Sequence, residues 1–333
     1  MGRSPSLSSL IARQMIDRLP VEAQRSLKRS LGRDVRRRIS VADLDRELLK
    51  AADVFSTSED DARALLETFE LDLPTDRPPD PFSDRYREWT WELYRLISGR
   101  ATYSSSNEAS PFDLERAIQR PFPFQTGSAT VVGDDLVARG HLLRCIGNSR
   151  SRLTPPARIV EFGPGWGNLT LDLVSTGFDV TAVEVDESFC TLIDERCSSP
   201  ELLNVVHADM LDFVADDPYD AAIFFESFHH CSDHLGMLKN LHEIVRPDGP
   251  IFFASEPVQK MAYPWGPRLD GLSLWSTRTY GWLELGFDSH YFSQALETTG
   301  WKGHRIRSGV SQRRDDVILA LRDRSSKSSP AAM

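Results

Sequence analysis

A glycine-dense stretch, Glu161-Phe162-Gly163-Pro164-Gly165-Trp166-Gly167, closes a short apolar run that begins at Arg158. Glycines after a strand let the backbone turn tightly and approach a ligand where a side chain would forbid it. Glu184 ends the next apolar run, 21 positions after Gly163, where an acidic side chain can accept both hydroxyls of a ribose. Asp209, in His207-Ala208-Asp209-Met210, follows the third run, where a carboxylate can take an adenine amino group. Such features at three consecutive strand ends point to one nucleotide-containing ligand. The fourth run leads into Glu226-Ser227-Phe228-His229-His230-Cys231-Ser232-Asp233-His234. An imidazole titrates near neutrality, so His229 or His230 can act as a general base, with His230 the favoured one. The loop also raises a metal reading, because His230 and His234 are i and i+4 with Glu226 and Asp233 near. No spacing there specifies an ion, and no metal is expected.

Positioning these residues takes strands and helices in alternation. Arg158–Phe162, Phe178–Val185, Leu203–His207, Asp220–Phe225 and Ile251–Ser255 read as strands. Helices between them carry Leu169 and Leu173, then Leu192 and Ile193, then Leu238 and Leu241. This βαβα pattern predicts a parallel sheet covered on both faces, with ligands at the carboxyl ends of its strands. Phe292 and Leu296 mark a later helix, and Trp301–Ser308 with Val317–Leu321 a final hairpin. Residues 1–150 read as a mainly helical extension. Helical spacing runs from Val41 to Ala52, and Ser58 caps a helix continuing to Phe69. Ser83 opens another, in which Tyr86, Trp89, Leu93 and Ile97 share one face. Ala101–Gln125 reads as a loop with a turn or two of helix, and Val132–Ile146 as a further helix. The extension reads equally as a cap, a docking element or a dimerisation element. Residues 325–333, rich in Ser, Ala and Pro, read as a disordered tail.

A dehydrogenase loop normally reads GxGxxG; here the third glycine arrives one residue early. Glu161, just before the first glycine, would repel a pyrophosphate but attract an ammonium. The arrangement suits a ligand with adenosine at one end and an amino-acid zwitterion at the other. On these residues the stretch from about 157 to 322 resembles a class I S-adenosylmethionine-dependent methyltransferase. The resemblance implies a Rossmann-like, doubly wound α/β domain over residues 151–324. Its seven-stranded sheet would be mostly parallel, with the last strand antiparallel. It implies cofactor contacts from Glu161, Gly163, Gly165, Gly167, Glu184, Asp209, Met210 and Glu226. Arg246-Pro247-Asp248-Gly249 matches the family's usual turn with Asp248 in place of a glycine. Trp166 is bulkier than the residue often found in the loop.

A sulfonium methyl group is already electrophilic, so positioning suffices for an amine acceptor, whereas an alcohol gains from a base. An insertion at about 257–287 and its flank hold Tyr263, Trp265, Trp275, Tyr280, Trp282, Phe287, Tyr291 and Phe292 among polar groups such as Arg268. These rings suit a flat or sugar-like acceptor, or else form the insertion's own core. Together with a similarity to bacterial surface-glycan and small-molecule O-methyltransferases, this favours O-methylation of a carbohydrate or other small hydroxyl compound. N- or C-methylation of a metabolite is the alternative, and a catalytically silent scaffold a more distant one.

Composition narrows the classes further. Of 333 residues, 40% are hydrophobic and 26% charged, which fits a globular chain. The net charge of −10 divides into +7 over residues 1–40 and −17 over the rest. An acidic body disfavours nucleic acid as a partner. The basic run Arg33, Arg36, Arg37 and Arg38 reads as a solvated helix face or as a contact for an anionic surface. No apolar run reaches the length of a membrane span and no signal peptide is evident. The four cysteines form no CxxC pair, so a reducing cytoplasm is expected.

Overall fold

The computed structural model describes residues 36–72, 76–109, 112–119, 128–148, 153–308 and 316–323. Arg33 and the expected tail at 325–333 lie outside the described residues. The chain enters through β1 (Arg37–Ile39), α1 (Val41–Phe55), α2 (Glu59–Leu66), β2 (Phe69–Leu71), α3 (Asp84–Ser98), α4 (Leu114–Gln119) and α5 (Ala129–Ile146). Strict alternation follows: β3 (Arg158–Phe162), α6 (Asn168–Ser175), β4 (Asp179–Glu184), α7 (Glu187–Arg196), β5 (Leu203–His207). Then come β6 (Ala221–Phe225), α8 (His234–Ile244) and β7 (Ile251–Ala254). The insertion supplies β8 (Val258–Gln259), β9 (Trp265–Pro267), α9 (Gly271–Thr279) and β10 (Leu285–Asp288), before α10 (Ser289–Thr298), β11 (Trp301–Ile306) and β12 (Val317–Arg322).

The seven-stranded sheet has the order β11-β12-β7-β6-β3-β4-β5, with β12 antiparallel to both neighbours and the other pairs parallel. Strand order reverses at β3, which lies between β4 and β6, so a crevice opens at the carboxyl end of β3. Successive strand residues face opposite layers. Ile159, Ile223, Phe252 and Leu319 join one core, and Val160, Phe224, Phe253 and Ala320 the other. Burial on both faces is why these strands read as continuous apolar runs.

Helix α5 packs its Leu142, Cys145 and Ile146 into the first of these cores, beside Ile159 and Leu173. A boundary at residue 150 therefore cuts through one core, and the sheet's outer layer begins at α5. The segments before α5 instead join the insertion. Tyr86 donates its hydroxyl to Trp265 O (2.9 Å) and Tyr94 donates to Gly281 O (2.7 Å). Arg278 forks onto Asp45 through two 2.9 Å bonds. The insertion folds as the small sheet β8-β10-β9 with α9.

Ser58 and Ser83 cap α2 and α3 as expected, accepting from Asp61 N and Tyr86 N. Two readings differ. The helix expected to reach Phe69 ends at Leu66, because Phe69 and Leu71 alternate inward as β2, in parallel register with Arg37 and Ile39. The basic run is a strand where described, not a helix face. Its Arg37 pairs with Glu47 (2.5 Å) and Arg38 with Glu70 (3.3 Å), so local carboxylates occupy both side chains. The four cysteines are free thiols. No helix among the described residues is long and apolar enough to cross a membrane.

Candidate active site

The glycine turn joins β3 to α6. Gly163, Gly165 and Gly167 all take positive φ, at +65°, +51° and +70°. A Cβ on Gly163 would stand 2.7 Å from Ser227 Cβ, and one on Gly167 2.5 Å from Ile193 Cγ1. At Gly165 a Cβ would meet nothing within 4 Å. The outer glycines are thus demanded by packing, and the middle one faces open space. That space is a cavity of about 710 Å³, lined by Gly163, Gly165, Glu184, Asp209, Met210 and Glu226 among others. Its volume lies within the range of small-molecule sites.

Glu184, 5% exposed at the end of β4, organises this half. Its carboxylate accepts from Gly165 N (3.0 Å), Val185 N (2.8 Å) and Asp186 N (3.1 Å). Burial pushes its carboxyl above the usual range, against the pull of those N–H groups. Asp209 accepts from Leu211 N (2.9 Å) through one oxygen. Glu161 lies beneath the turn, 1% exposed, and accepts the Thr170 hydroxyl at 2.7 Å. Burial lifts it to about 7, and it does not line the cavity. Trp166 lines the cavity and packs edge-on against Phe189 and tilted against Phe112.

The other half carries the histidines. Glu226 and Ser255, at the ends of the adjacent strands β6 and β7, both have positive φ (52° and 56°). Backbone strain in residues other than glycine collects at functional sites. Between them Ser227, Phe228 and His229 present three N–H groups to one buried carboxylate, that of Glu256. Its Oε1 accepts from Ser227 N (2.9 Å) and Phe228 N (2.8 Å), and its Oε2 from His229 N (3.1 Å). His229 Nδ1 also lies 2.8 Å from that Oε2. Burial lifts the Glu256 carboxyl to about 7.

His229 and His230 lie ring to ring, with centroids 4.2 Å apart, yet their surroundings differ. Burial, then the neighbouring charge of His230, drives the His229 pKa well down. His230 Nδ1 is 2.9 Å from Glu108 Oε2, within ion-pair distance. Burial would lower its pKa, but Glu108, with Glu284 and Glu256, overcomes this and raises His230 to about 9. The Glu108 carboxylate thus favours the protonated form of His230, while burial favours the neutral form of His229.

His229, His230 and Glu284 bring donor atoms within 4.8 Å of one another. Arg268 lies 3.5 Å from the Glu284 carboxylate and already supplies a cation there, so the cluster is better suited to ion pairs than to a further metal charge. The His230/His234 pair of the metal reading does not come together, since His234 is buried and bonds Tyr291 Oη at 2.6 Å. Of the insertion's rings, Trp275, Tyr280 and Trp282 line the cavity. Tyr263, Trp265, Phe287, Tyr291 and Phe292 are core.

Sequence reasoning missed Glu108, Glu256 and Glu284. Glu256 stands just past β7, so the strand-end rule that found Glu184 would have found it. No local signal marked Glu108, which arrives by tertiary packing.

Residues 160–253 match the family model for a methyltransferase domain. This stretch carries a methyltransferase domain. The chain is 37% identical over 82 residues to ribosomal RNA small subunit methyltransferase A of Cutibacterium acnes, covering 20% of this chain and 28% of that protein. It is 26% identical over 99 residues to an uncharacterized methyltransferase of Oceanobacillus iheyensis, covering 29% and 45%. The chain thus spans under half the length of these curated relatives. A solved structure similar to it is the 1,6-didemethyltoxoflavin-N1-methyltransferase of Burkholderia thailandensis with bound S-adenosylhomocysteine. Identity is 16%, TM-score 0.43, with 77% of this chain and 94% of that one covered. The N-methyltransferase NodS of Bradyrhizobium japonicum is similar at 16% and TM-score 0.43, covering 62% and 94%.

Within the methyltransferase domain, the open space at Gly165 and the Glu184 carboxylate beside it fit an adenosine-bearing cofactor. An acidic side chain with lone pairs to spare is what ribose hydroxyls require.

Proposed function

We propose that the protein is an S-adenosylmethionine-dependent methyltransferase that O-methylates a hydroxyl of a carbohydrate or other small molecule, with a histidine of the pair His229/His230 as general base. The cofactor supplies, when bound, a methyl group made electrophilic by its sulfonium. Gly163, Gly165, Gly167, Glu184, Asp209, Met210 and Glu226 would hold it, and Glu161 would support the turn from below. Trp275, Tyr280 and Trp282 would sandwich or flank a flat acceptor and keep water from the reacting oxygen. Phe55, Arg63 and Glu108 line the same cavity, so the N-terminal segments act as a cap over the acceptor half.

The observation that carries this reading is a carboxylate-held histidine in the wall of the cavity that the glycine turn also lines. An amine acceptor is the second reading, favoured by the carboxylates Glu108 and Glu284 beside aromatic rings, which suit an ammonium. The acidic body argues against RNA as acceptor, and cytoplasmic residence fits the free thiols. Calorimetry with S-adenosylmethionine and S-adenosylhomocysteine tests the first step, and binding of neither overturns the methyltransferase reading. Release of S-adenosylhomocysteine is then measured across panels of sugars, phenols and amines. Turnover confined to amines overturns O-methylation.

A further inference from the structure

We infer that Glu256 is a positioning residue that fixes the His229 proton on Nδ1, leaving Nε2 as the proton-accepting atom of the cavity wall. The inference rests on the proposed methyl transfer for its purpose, but its geometry stands alone. Glu256 is 6% exposed, and four nitrogens approach its two oxygens: the backbone nitrogens of Ser227, Phe228 and His229, and Nδ1 of the His229 ring. Three of the four are backbone N–H groups, which can only donate. The three converging backbone donors stabilise the ionised carboxylate against the burial that raises its pKa. Facing an ionised carboxylate, the ring nitrogen at 2.8 Å is the donor, and the neutral ring keeps its lone pair on Nε2. Nε2 lies 4.0 Å from Glu284 Oε2, beyond hydrogen-bond reach, so no described group claims it.

The charged groups facing His229 come from several elements. His230 shares its turn, Glu256 follows β7, Glu284 and Arg268 come from the insertion, and Glu108 from the segment before α4. In the reaction, the acceptor's O–H proton passes to Nε2 as the oxygen bonds to the methyl carbon. The electrons of the broken carbon–sulfur bond stay on sulfur. The imidazolium so formed is met by Glu256 through the Nδ1–H bond already in place.

Glu256→Gln is the discriminating change. Its amide oxygen can still accept from Ser227 and Phe228, but its NH₂ group faces Nδ1 and forces that atom to accept. The tautomer should invert. Nitrogen NMR of the full chain labelled with ¹⁵N-histidine, in the presence of S-adenosylhomocysteine, reads it directly, with His229→Asn identifying the resonance. The expected result is an Nδ1–H neutral ring in the wild type and an Nε2–H ring in Glu256→Gln. Turnover of a hydroxyl acceptor should fall on the order of 10²–10⁴-fold at unchanged S-adenosylhomocysteine affinity. A wild-type His229 protonated on Nε2 overturns the inference even if the variant does not fold. So does a folded variant with the wild-type tautomer. Failure to methylate any hydroxyl would overturn the proposed reaction and leave the tautomer measurement to decide Glu256 separately.

Discussion

Gly165→Ala separates the ligand-facing glycine from the two that packing demands. The added Cβ meets no protein atom within 4 Å, so the substitution carries only the penalty of holding alanine at φ +51°. A left-handed conformation costs an L-residue about 1–2 kcal/mol, and about 1 kcal/mol shifts the melting temperature of a large domain by roughly 2–4 °C. The variant should fold and melt a few degrees early. Its methyl group, however, fills space where the cofactor must approach the backbone. Overpacking of that kind costs about 1–3 kcal/mol, and about 1.4 kcal/mol is a factor of ten. Calorimetry should show S-adenosylmethionine and S-adenosylhomocysteine both weakened by roughly five- to a hundredfold or more. Gly163→Ala and Gly167→Ala are the contrast, because contacts of 2.7 and 2.5 Å make them primarily folding defects. A Gly165→Ala protein that binds either ligand with wild-type affinity would remove the turn from the cofactor site.

Other consequences are checked more briefly. Glu108→Gln removes the main group raising His230, so the His230 resonance should titrate at lower pH in the variant than in the wild type. His234 is buried and held at about 3, below its unfolded value of about 6.5. Between those values the unfolded chain binds the extra proton. Stability is therefore full above pH about 6.5 and is lost as pH falls, by about 1.4 kcal/mol per unit. His234→Phe should flatten that part of the acid-unfolding curve seen by circular dichroism, and an unchanged slope would contradict the burial argument. Trp275→Ala should raise the acceptor KM while the Kd for S-adenosylhomocysteine stays put. Activity should also survive a metal chelator, and loss restored by a divalent ion would return His229, His230 and Glu284 to the role of ligands.

The positions of the residues proposed to hold the cofactor were legible in the sequence because each sits at a strand end, where the chain itself announces the position. Gly163, Glu184 and Asp209 need only the alternation of runs to be placed. The acceptor half was legible in composition and not in geometry. The aromatic cluster was visible, but Trp275 and Trp282 in the cavity and Trp265 and Tyr291 in the core have the same local signature. Only packing against Tyr86 and His234 separates them. The loop alone favoured His230 over His229, and it gave no sign of Glu108, which faces His230 from a distant segment.

The cavity is stitched from two sources with different freedoms to change. The glycine turn, Glu184 and Asp209 are bound into the sheet, and a substitution there disturbs the fold or the cofactor. Phe55, Arg63 and Glu108 belong to segments that rest on the insertion, through contacts such as Tyr86 with Trp265 and Arg278 with Asp45. Grafting residues 36–109 together with the insertion onto a related sheet would carry over the choice of acceptor while leaving the methyl donor untouched. Grafting either piece alone would split the Tyr86–Trp265 and Tyr94–Gly281 pairs and carry over neither.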